Sequence, residues 1–372
     1  MNHINKIIII GTNHHNTLSM VRCFGEEGRN VDLYIYGDNN SYIASSIYVD
    51  NVSYYPTASN AITAIPLDPS NKPLIIACSD DVSSLMDLQY DVLRQGCYFF
   101  NAGETGRITY YMDKQRQLQM AKECGFHVPS SIDVLPEDVV CTEVNFPCLI
   151  KPKASIYGGK NITICRTSEE LRKALTKYIP QYNVLIQDYI QKDYEIVVLG
   201  AAIEDKILVP GFIQKHREER GGTTYSTVRP IIELNQSLVE SCRTIIKKIG
   251  YQGLWGIECI KQGDKYYFLE LNMRNDATTY AMKVAGFNLP LLYLRLLEDI
   301  NYPIFFNSVR TINSMVEFND FNFVLKGKVG LFRWIKEYKK AECRYYHSVI
   351  DLAPYCKRKK EYFKFLWNRI FG

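Results

Sequence analysis

The chain has 372 residues, of which 47% are hydrophobic and 23% are charged, and its formal net charge is +4. This length exceeds that of one ordinary hydrophobic core and predicts two to four packed units. The weak net charge does not indicate nucleic-acid binding, and no run of eighteen apolar residues predicts a membrane span. The cysteines are scattered without a C-x-x-C pair, and the N-terminus lacks a secretory-signal pattern. We therefore expect a cytoplasmic protein with reduced thiols.

The first hundred residues predict a small doubly wound α/β domain. An apolar, β-branched run at residues 4–10, a helical stretch at 17–27 and a second strand at 31–38 form a strand–helix–strand unit. This arrangement is typical of a parallel sheet. The pattern recurs at residues 73–95, where a buried strand precedes a helix for which Asp81 is the expected N-cap.

From residue 112 the chain changes to a mixture of strands and shorter helices. Asp113 and Gly125 are the expected ends of one helix. The other predicted segments are strands at 146–152, 161–167 and 183–190, a long strand pair at 194–216, helices from Ser168 and at 236–249, and a basic, aromatic, helical final segment. We expect the terminal aromatic residues to pack against the protein body; a peripheral contact with an anionic membrane or a partner is the alternative.

The segment at residues 257–276 contains carboxylates, an amide and a guanidinium at strand spacing. Glu270, Asn272 and Arg274 are two residues apart, so they begin on one face of a strand. Glu258 lies on the preceding strand. Carboxylate and amide oxygens suit Mg²⁺ together with substrate phosphates, and arginine binds phosphate in a bidentate manner. The segment therefore predicts a metal–triphosphate site, with a surface ion pair between Glu270 and Arg274 as the alternative.

This predicted site depends on the register of the hairpin. A two-residue Gly263-Asp264 turn with regular pairing would place Leu269 opposite Glu258. Glu258 faces Glu270 only if the turn has an odd number of residues or the hairpin contains a bulge. We therefore predict one of these two irregularities.

Two further segments have the chemistry of a nucleotide site. Lys151 ends an apolar strand and precedes a loop with Gly158 and Gly159, whose backbone N–H groups could cradle phosphates; an ordinary turn is the alternative. Asp188 and Glu195 occur in strand context and could contact an adenine amino group and ribose hydroxyls. The alternative is that both are charges of an edge strand.

In this order the segments resemble the ATP-grasp superfamily over about residues 1–300, and more specifically its carboxylate–amine ligases and carbamoyl-phosphate-synthase-like members. The resemblance implies that Glu258, Glu270 and Asn272 bind the metal and that Arg274 serves the phosphate and acyl phosphate. The nucleotide contacts that it implies are Lys114, Lys151, Ser155, Gly158 and Gly159 at the phosphates, Gln187, Asp188, Tyr189 and Ile190 at adenine, and Glu195 at ribose. The chain departs from the family pattern at Tyr157 in the lid and at Gln187-Asp188 in the hinge.

The resemblance also indicates the substrate side of the site, in and after the segment 212–229. Lys215 or Arg217 would neutralise the transferring phosphoryl group, and Arg229 would hold a substrate carboxylate. A solvated charged loop is the alternative interpretation of this segment. Asn275 and Thr278 follow Arg274 and would contact the acyl group.

The resemblance implies an α/β and α+β architecture with four parts. These are an N-terminal Rossmann-like, doubly wound parallel-sheet domain at 1–110, the small lobe of an ATP-grasp domain at 111–190, its large lobe at 191–305 and a C-terminal helical extension at 306–372. We expect an ADP-forming carbon–nitrogen ligase that uses ATP with Mg²⁺ or Mn²⁺, activates a small-molecule carboxylate as an acyl phosphate and joins it to an amine. A homodimer is left open.

Three other functions remain as alternatives. A carboxylase or carbamoyl-phosphate-type enzyme would use bicarbonate in the same fold. A dehydrogenase would need three glycines after the first strand, where the chain has only Gly11. A non-enzymatic protein with a decayed nucleotide site would not be expected to retain Lys151, Glu258 and Glu270.

Overall fold

The computed structural model describes residues 3–152, 162–178, 181–219, 222–305 and 309–371. These residues form three sheets: a parallel sheet near the N-terminus, a four-stranded antiparallel sheet, and a mixed seven-stranded sheet. The expected α/β and α+β architecture is therefore confirmed. No helix among the described residues is both long and apolar enough to cross a membrane.

The N-terminal domain is a four-stranded parallel sheet, as predicted. In chain order its elements are β1 (Ile7–Gly11), α1 (His15–Gly25), β2 (Val31–Tyr36), β3 (Val49–Tyr55), α2 (Ala58–Thr63), β4 (Leu74–Ala77), α3 (Asp80–Asp87), α4 (Tyr90–Gly96) and α5 (Arg107–Tyr111). The strand order is β3-β2-β1-β4. The consecutive isoleucines of β1 are all buried because a central parallel strand is covered on both faces.

Two details of this domain differ from the sequence expectation. The single helix expected after the strand at 73–78 is two helices, α3 and α4, and Ser79 rather than Asp81 is the N-cap residue. Helix α1 begins at His15 instead of Thr17, because the Nδ1 atom of His14 accepts a hydrogen bond from the Asn16 N–H at 3.2 Å and caps the helix.

The expected small lobe begins with helix α6 (Lys114–Glu123), whose Met120 and Ala121 belong to the main hydrophobic core. The rest of the expected lobe is a sheet with a separate core, built from β5 (Ser131–Val134), β6 (Cys148–Pro152), β7 (Thr163–Cys165), α7 (Ser168–Leu175) and β8 (Val184–Asp188), with the strand order β5-β8-β6-β7. As predicted, Asp113 caps α6, since its carboxylate accepts hydrogen bonds from the N–H groups of Gln115 and Arg116. Cys148, Ile150 and Ile186 are among the residues of this core, which is not continuous with the main core.

The large lobe and the C-terminal segment share one sheet. The elements are β9 (Tyr194–Ile203), β10 (Lys206–Glu219), β11 (Gly222–Pro230), α8 (Gln236–Ile249), β12 (Gly253–Gln262), β13 (Lys265–Asn272), α9 (Thr279–Val284), α10 (Leu289–Glu298), β14 (Ile312–Met315), α11 (Glu317–Leu325), α12 (Leu331–Lys340), β15 (Ala341–Arg344) and α13 (Ala353–Phe371). The strand order is β13-β12-β9-β10-β11-β14-β15. The segment expected to be a helical extension therefore also contributes two strands, which the sequence analysis did not predict.

A buried arginine joins the C-terminal segment to the N-terminal domain. Arg22 of α1 is fully buried and donates hydrogen bonds to the Asp351 carboxylate at 3.0 Å and to the carbonyl oxygens of Tyr345 and Tyr346 at 2.8 and 3.0 Å. The final helix α13 is present as expected. Leu366 packs against the main core as expected, whereas Phe363, Phe365 and Trp367 are each more than half exposed.

Candidate active site

The β12–β13 hairpin has the register that the sequence analysis required. Glu258 lies directly opposite Glu270. The turn is the two-residue Gly263-Asp264 turn, flanked by the pair Gln262 and Lys265, so regular pairing alone would not give this register. A bulge corrects it: Cys259 pairs with Phe268 and Glu258 pairs with Glu270, which leaves Leu269 as an extra residue in β13. The predicted bulge is confirmed.

Lys215 on β10 forms an ion pair with Glu258 of this hairpin. Its ammonium group lies 2.6 Å from Glu258, 2.9 Å from Glu218 and 3.5 Å from Glu195, and its side chain is almost completely buried. Burial by itself lowers the pKa of Lys215, but the three carboxylates outweigh burial and raise the pKa. Lys215 is therefore a fixed positive charge at the centre of the site.

The carboxylates at the hairpin repel one another. Burial raises the pKa of Glu258, the Lys215 ammonium opposes this shift, and the nearby Glu270 and Asp276 carboxylates raise the pKa further. Asp276 is close because its side chain lies against Gly256 of β12. An added cation would relieve this repulsion by favouring the charged form of the acids. The site therefore suits a cation beside the two glutamates.

Two lysines approach the same hairpin from α6 and the small lobe. The Nζ atom of Lys114 lies 3.8 Å from Glu270, and the Nζ atom of Lys151 donates a hydrogen bond to Gln187 Oε1 at 3.0 Å. Burial, and then the charge of Lys114, lower the pKa of Lys151 to about 8, while Glu270 opposes the shift. Two cations placed this close together suit a polyanion such as a triphosphate.

Arg274 connects the hairpin with the N-terminal domain. Its guanidinium donates to both carboxylate oxygens of Asp80 at 2.7 and 3.2 Å, to Asn272 Oδ1 at 3.1 Å and to the Asn275 carbonyl oxygen at 3.1 Å. Burial lowers the pKa of Arg274, but Asp80 outweighs burial and raises it. Arg274 is thus a permanent cation beside a candidate metal ligand.

The segment expected to contact adenine and ribose follows β8. Gln187 is buried, and the backbone N–H groups of Asp188 and Tyr189 donate to the carbonyl oxygens of Ser130 and Pro147 at 2.9 and 3.0 Å. Within the described parts of the chain, no hydrogen bond is formed by the N–H group of Ile190, so this group is available to donate to a ligand acceptor. The expected ribose contact has other partners: the carboxylate of Glu195 lies 2.6 Å from Lys192 and 3.5 Å from Lys215.

The structure does not bring Arg217 together with Lys215. A bulge at His216 pairs Lys215 with Ser226 and Arg217 with Tyr225, so the two cations lie on opposite faces of the sheet. Arg217 instead forms ion pairs of 2.7 Å with Asp320 and with Glu337. This placement corrects the expectation that Arg217 could serve the phosphoryl group, because its charge is used between β10 and the C-terminal helices.

The side chain of Arg229 lies on the same face of the sheet as that of Arg217. It pairs with Phe212 in the sheet, and its guanidinium donates to Gln214 Oε1 at 2.6 Å and to Glu233 at 2.8 Å. It therefore lies on the sheet face opposite Lys215, which corrects the expectation that it holds a substrate carboxylate beside the metal ligands. Alternation along β11 is the physical reason, because Arg229 and Ser226 are three residues apart.

The remaining expected contacts lie behind Arg274 or outside the described residues. Asn275 is buried, and its carbonyl oxygen accepts a hydrogen bond from the Asn16 side chain at 3.3 Å. Thr278 is also buried, with its N–H donating to Asp276 at 2.8 Å. Both residues thus support the Arg274 turn instead of facing open space. Ser155, Gly158 and Gly159 of the expected lid lie outside the described residues, as does Tyr157.

Sequence reasoning missed three acidic residues of this site. Glu218 and Asp276 lie beside Lys215 and Glu258, and Asp80 binds Arg274. Asp276 follows Arg274 closely in the sequence, which is a usable signal. Asp80 follows the buried strand β4, and side chains at the carboxyl ends of parallel strands commonly face ligands. Glu218 carries no such signal.

The described geometry brings two lysines, Lys114 of α6 and Lys151 of β6, to a sheet that carries clustered carboxylates, an arrangement suited to binding a polyphosphate together with a cation. Residues 119–286 match the ATP-grasp domain. This part of the chain is therefore an ATP-grasp domain, and the resemblance drawn from the sequence is confirmed.

Curated proteins similar to this chain include a synthase and a formyltransferase. The chain is 24% identical over 174 residues to N5-carboxyaminoimidazole ribonucleotide synthase of Synechococcus elongatus, covering 45% of this chain and 43% of that protein. It is 32% identical over 142 residues to formate-dependent phosphoribosylglycinamide formyltransferase of Syntrophotalea carbinolica, covering 36% and 35%. The matches thus span less than half the length of these relatives.

Solved structures resemble a larger part of the chain. An N5-carboxyaminoimidazole ribonucleotide synthetase in complex with ADP has a TM-score of 0.66 at 15% identity, covering 88% of this chain and 86% of that one. An L-amino acid ligase from Bacillus licheniformis has a TM-score of 0.62 at 13% identity, covering 84% and 79%. At such identities the likeness establishes the fold.

Proposed function

We propose that this protein is an ADP-forming ligase that activates a carboxylate with ATP and transfers the acyl group to an amine. The observation that carries the proposal is the bulge at Leu269, which places Glu258 opposite Glu270 within reach of Lys215 and Lys114. The names of several relatives, which include ligases and synthases, support the same class of reaction.

The cluster also fits a divalent cation. Glu258, Glu270 and Asn272 offer hard oxygen ligands, and the crowding of carboxylates that raises the pKa of Glu258 would be relieved by a cation. Bound there with ATP, Mg²⁺ or Mn²⁺ would neutralise the phosphates and polarise the γ-phosphoryl group. Among the described residues no cluster of three or more histidine, cysteine or acidic side chains forms a ready metal site.

The protein's own groups then have distinct roles toward ATP. Lys114 and Lys151 bind the phosphates from the small-lobe side, and the Ile190 N–H with neighbouring hinge groups binds adenine. Glu195 remains our proposed ribose contact, although its ion pairs with Lys192 and Lys215 must rearrange for that contact. The loop that contains Ser155, Gly158 and Gly159 remains the proposed lid over the phosphates.

The reaction proceeds by two displacements. A substrate carboxylate oxygen attacks the γ-phosphorus, the bond between that phosphorus and ADP breaks, and an acyl phosphate forms. Arg274 and Lys215 stabilise the negative charge that develops, and such prepositioned charges supply most of the catalysis in phosphoryl transfer. The amine nitrogen then attacks the activated carbonyl, inorganic phosphate leaves, and the nitrogen loses a proton to give the amide.

Phosphate release with Mg-ATP tests this proposal. Carboxylic acids are screened singly and then with amines, and an acid–amine pair is expected to stimulate phosphate release. The Glu270→Ala and Arg274→Ala variants should lose the stimulated rate. Equal phosphate release by the wild type and both variants across the panel would refute the ligase proposal.

Bicarbonate is a second candidate for the activated carboxylate. The observation that favours it is the likeness to proteins named for carboxylation, among them a biotin carboxylase from Campylobacter jejuni with a TM-score of 0.62 at 18% identity. Stimulation of phosphate release by bicarbonate but by no organic acid would select this version of the same mechanism.

A further inference from the structure

A large cavity is lined in part by the start of helix α1. It has a volume of about 660 Å³ and lies between the N-terminal domain, the β10–β11 hairpin and the helices α11 and α13. Its walls include His14 and His15 from the start of α1 and Arg358 from α13. The volume is that of a pocket for a small molecule.

His14 connects this cavity with the phosphoryl-transfer groups. His14 lies two residues before Asn16, and the Asn16 side-chain amide donates to the carbonyl oxygen of Asn275 at 3.3 Å. The guanidinium of Arg274 donates to the same carbonyl oxygen at 3.1 Å, so the start of α1 lies close to Arg274. A molecule in the cavity could extend past His14 from Arg358 toward Arg274.

Two polar atoms of the cavity wall have no hydrogen-bond partner among the described residues. His15 is 5% exposed, and its Nδ1 atom has no hydrogen-bond partner in the part of the chain that the structure describes. The same holds for the Nε atom of Arg358, whose Nη1 atom donates to Glu361 at 3.1 Å. Because buried polar atoms in folded proteins are nearly always hydrogen-bonded, these atoms are candidates to bind a ligand.

The one carboxylate among the described residues of the cavity wall is already neutralised. Glu219 forms an ion pair with Lys326 and accepts a hydrogen bond from Asn322 at 2.8 Å. The described wall carries two cations, Lys326 and Arg358, so its net formal charge is positive and favours an anion. Glu361, outside the wall, forms an ion pair with Arg358 at 3.1 Å and leaves the Nε atom of Arg358 without a partner among the described residues. The wall also has an apolar part, which is formed by the aromatic side chains of Phe318, Tyr362 and Phe365.

We propose that this cavity binds a substrate of the ligation that carries a carboxylate or phosphate group, with this oxyanion held by Arg358. The carbon skeleton of the substrate packs against Phe318, Tyr362 and Phe365, and its reacting end points past His14 toward Arg274. This inference rests on the proposed ligase function. It assigns to the C-terminal helices the selection of an acidic substrate.

Binding of simple probes in the absence of nucleotide tests the inference separately from catalysis. Phenyl phosphate, phenylacetate and the neutral 2-phenylethanol are titrated into the full-length protein by calorimetry. We expect at least one of the two anions to bind at least ~10-fold more tightly than the neutral probe, and Arg358→Gln to weaken that binding by ~10-fold or more. The phosphate and carboxylate probes distinguish the two oxyanions.

Matched variants identify the site of binding. Lys359→Gln removes a neighbouring exposed cation of α13 and should leave binding unchanged, while Lys151→Ala should also leave it unchanged because the nucleotide site is not involved. Phe365→Ala, at an exposed residue that the fold does not require, should weaken the anion and the neutral probe alike.

Three results would overturn the inference: equal binding of the anions by wild type and a folded Arg358→Gln variant, loss of binding in Lys151→Ala, or no binding of either anion at about 10 mM, far above the range of typical substrate constants. If anion binding depends on Arg358 but the protein shows no ATP-dependent ligation, the anion pocket is supported and the proposed ligase function is refuted.

Discussion

The β12–β13 and β10–β11 hairpins both carry charged residues at strand spacing, and in each a bulge determines where the charges lie. The bulge at Leu269 brings Glu258 opposite Glu270, so that the charges converge. The bulge at His216 does the reverse, because it sends Lys215 to the carboxylate cluster and Arg217 to the other face. Residue spacing alone therefore does not identify a site on a strand; register and bulges decide which side chains meet.

The largest expected effect on activity comes from the β12–β13 hairpin, where the two glutamates face each other. Glu258→Gln and Glu270→Gln each remove a candidate cation ligand next to the phosphates, and we expect phosphate release stimulated by substrate to fall by about 10³-fold or more. Steady-state phosphate release measures this loss. Asp264→Asn, in the exposed turn of the same hairpin, is the control and should retain wild-type activity. A residual rate near that of the control would show that the paired carboxylates do not serve catalysis.

In the β10–β11 hairpin, where the charges lie on opposite faces, we expect substitution of Arg217 to lower the stability of the protein and to leave its activity almost unchanged. Arg217→Gln leaves the fully buried carboxylate of Asp320 without its cation, so the free energy of unfolding should fall by about 3 kcal/mol. Urea denaturation measures this change, and the activity per folded molecule should stay within ~3-fold of the wild type. The half-exposed Arg229→Gln is the control, with an expected loss below ~1 kcal/mol. A folded but inactive Arg217→Gln variant would show that Arg217 does serve catalysis.

A pH-dependent effect of intermediate size is expected at Lys151. Burial lowers its pKa to about 8, and the ATP phosphates prefer its protonated form. As the pH rises through 8, the free protein loses this proton, so ATP affinity should fall by up to about tenfold per pH unit. Titration calorimetry between pH 7 and about 9.5 measures the change. Lys151→Arg keeps its charge over this range and should flatten the profile; a wild-type profile as flat as that of the variant would contradict the assignment.

The smallest effect is expected from deleting Leu269. Removal of this extra residue leaves Phe268 opposite Cys259 and Glu270 opposite Glu258, so the ligands keep their register without a bulge. We expect phosphate release within about 3-fold of the wild type. Leu269→Ala, which keeps the bulge, is the matched control. If the deletion variant is folded but inactive while Leu269→Ala is active, the bulge has a role beyond register.

The sequence was sufficient to predict much of the fold because its local signals agree. The apolar run of β1, the Asp113 cap of α6 and the amphipathic helix α8 all occur where the patterns indicate. The strands β14 and β15 were missed because each is only four residues long; β14 pairs with the distant strand β11, and β15 pairs with β14. Exposure of Phe363 and Trp367 on α13 was also not predictable from composition.

The site was predictable where chemistry and register coincide. Glu258, Glu270 and Lys215 come together as oxygen and ammonium groups suited to phosphates and a cation. Arg217 could not be excluded from sequence because the His216 bulge leaves no local signal. Arg229 could not be excluded because its face relative to Lys215 depends on the pairing register of β10 with β11. Asp80 was missed because its contact with Arg274 joins residues 194 positions apart.

Transfer of an oxygen isotope tests the central claim most directly. The acid that stimulates phosphate release is labelled with ¹⁸O in its carboxylate, and the inorganic phosphate formed with Mg-ATP is analysed by mass spectrometry. Activation through an acyl phosphate predicts one ¹⁸O atom in each released phosphate, because the carboxylate oxygen stays on phosphorus when the amine displaces it. Unlabelled phosphate from the labelled acid, with the label appearing only when ¹⁸O is supplied in water, would contradict the account.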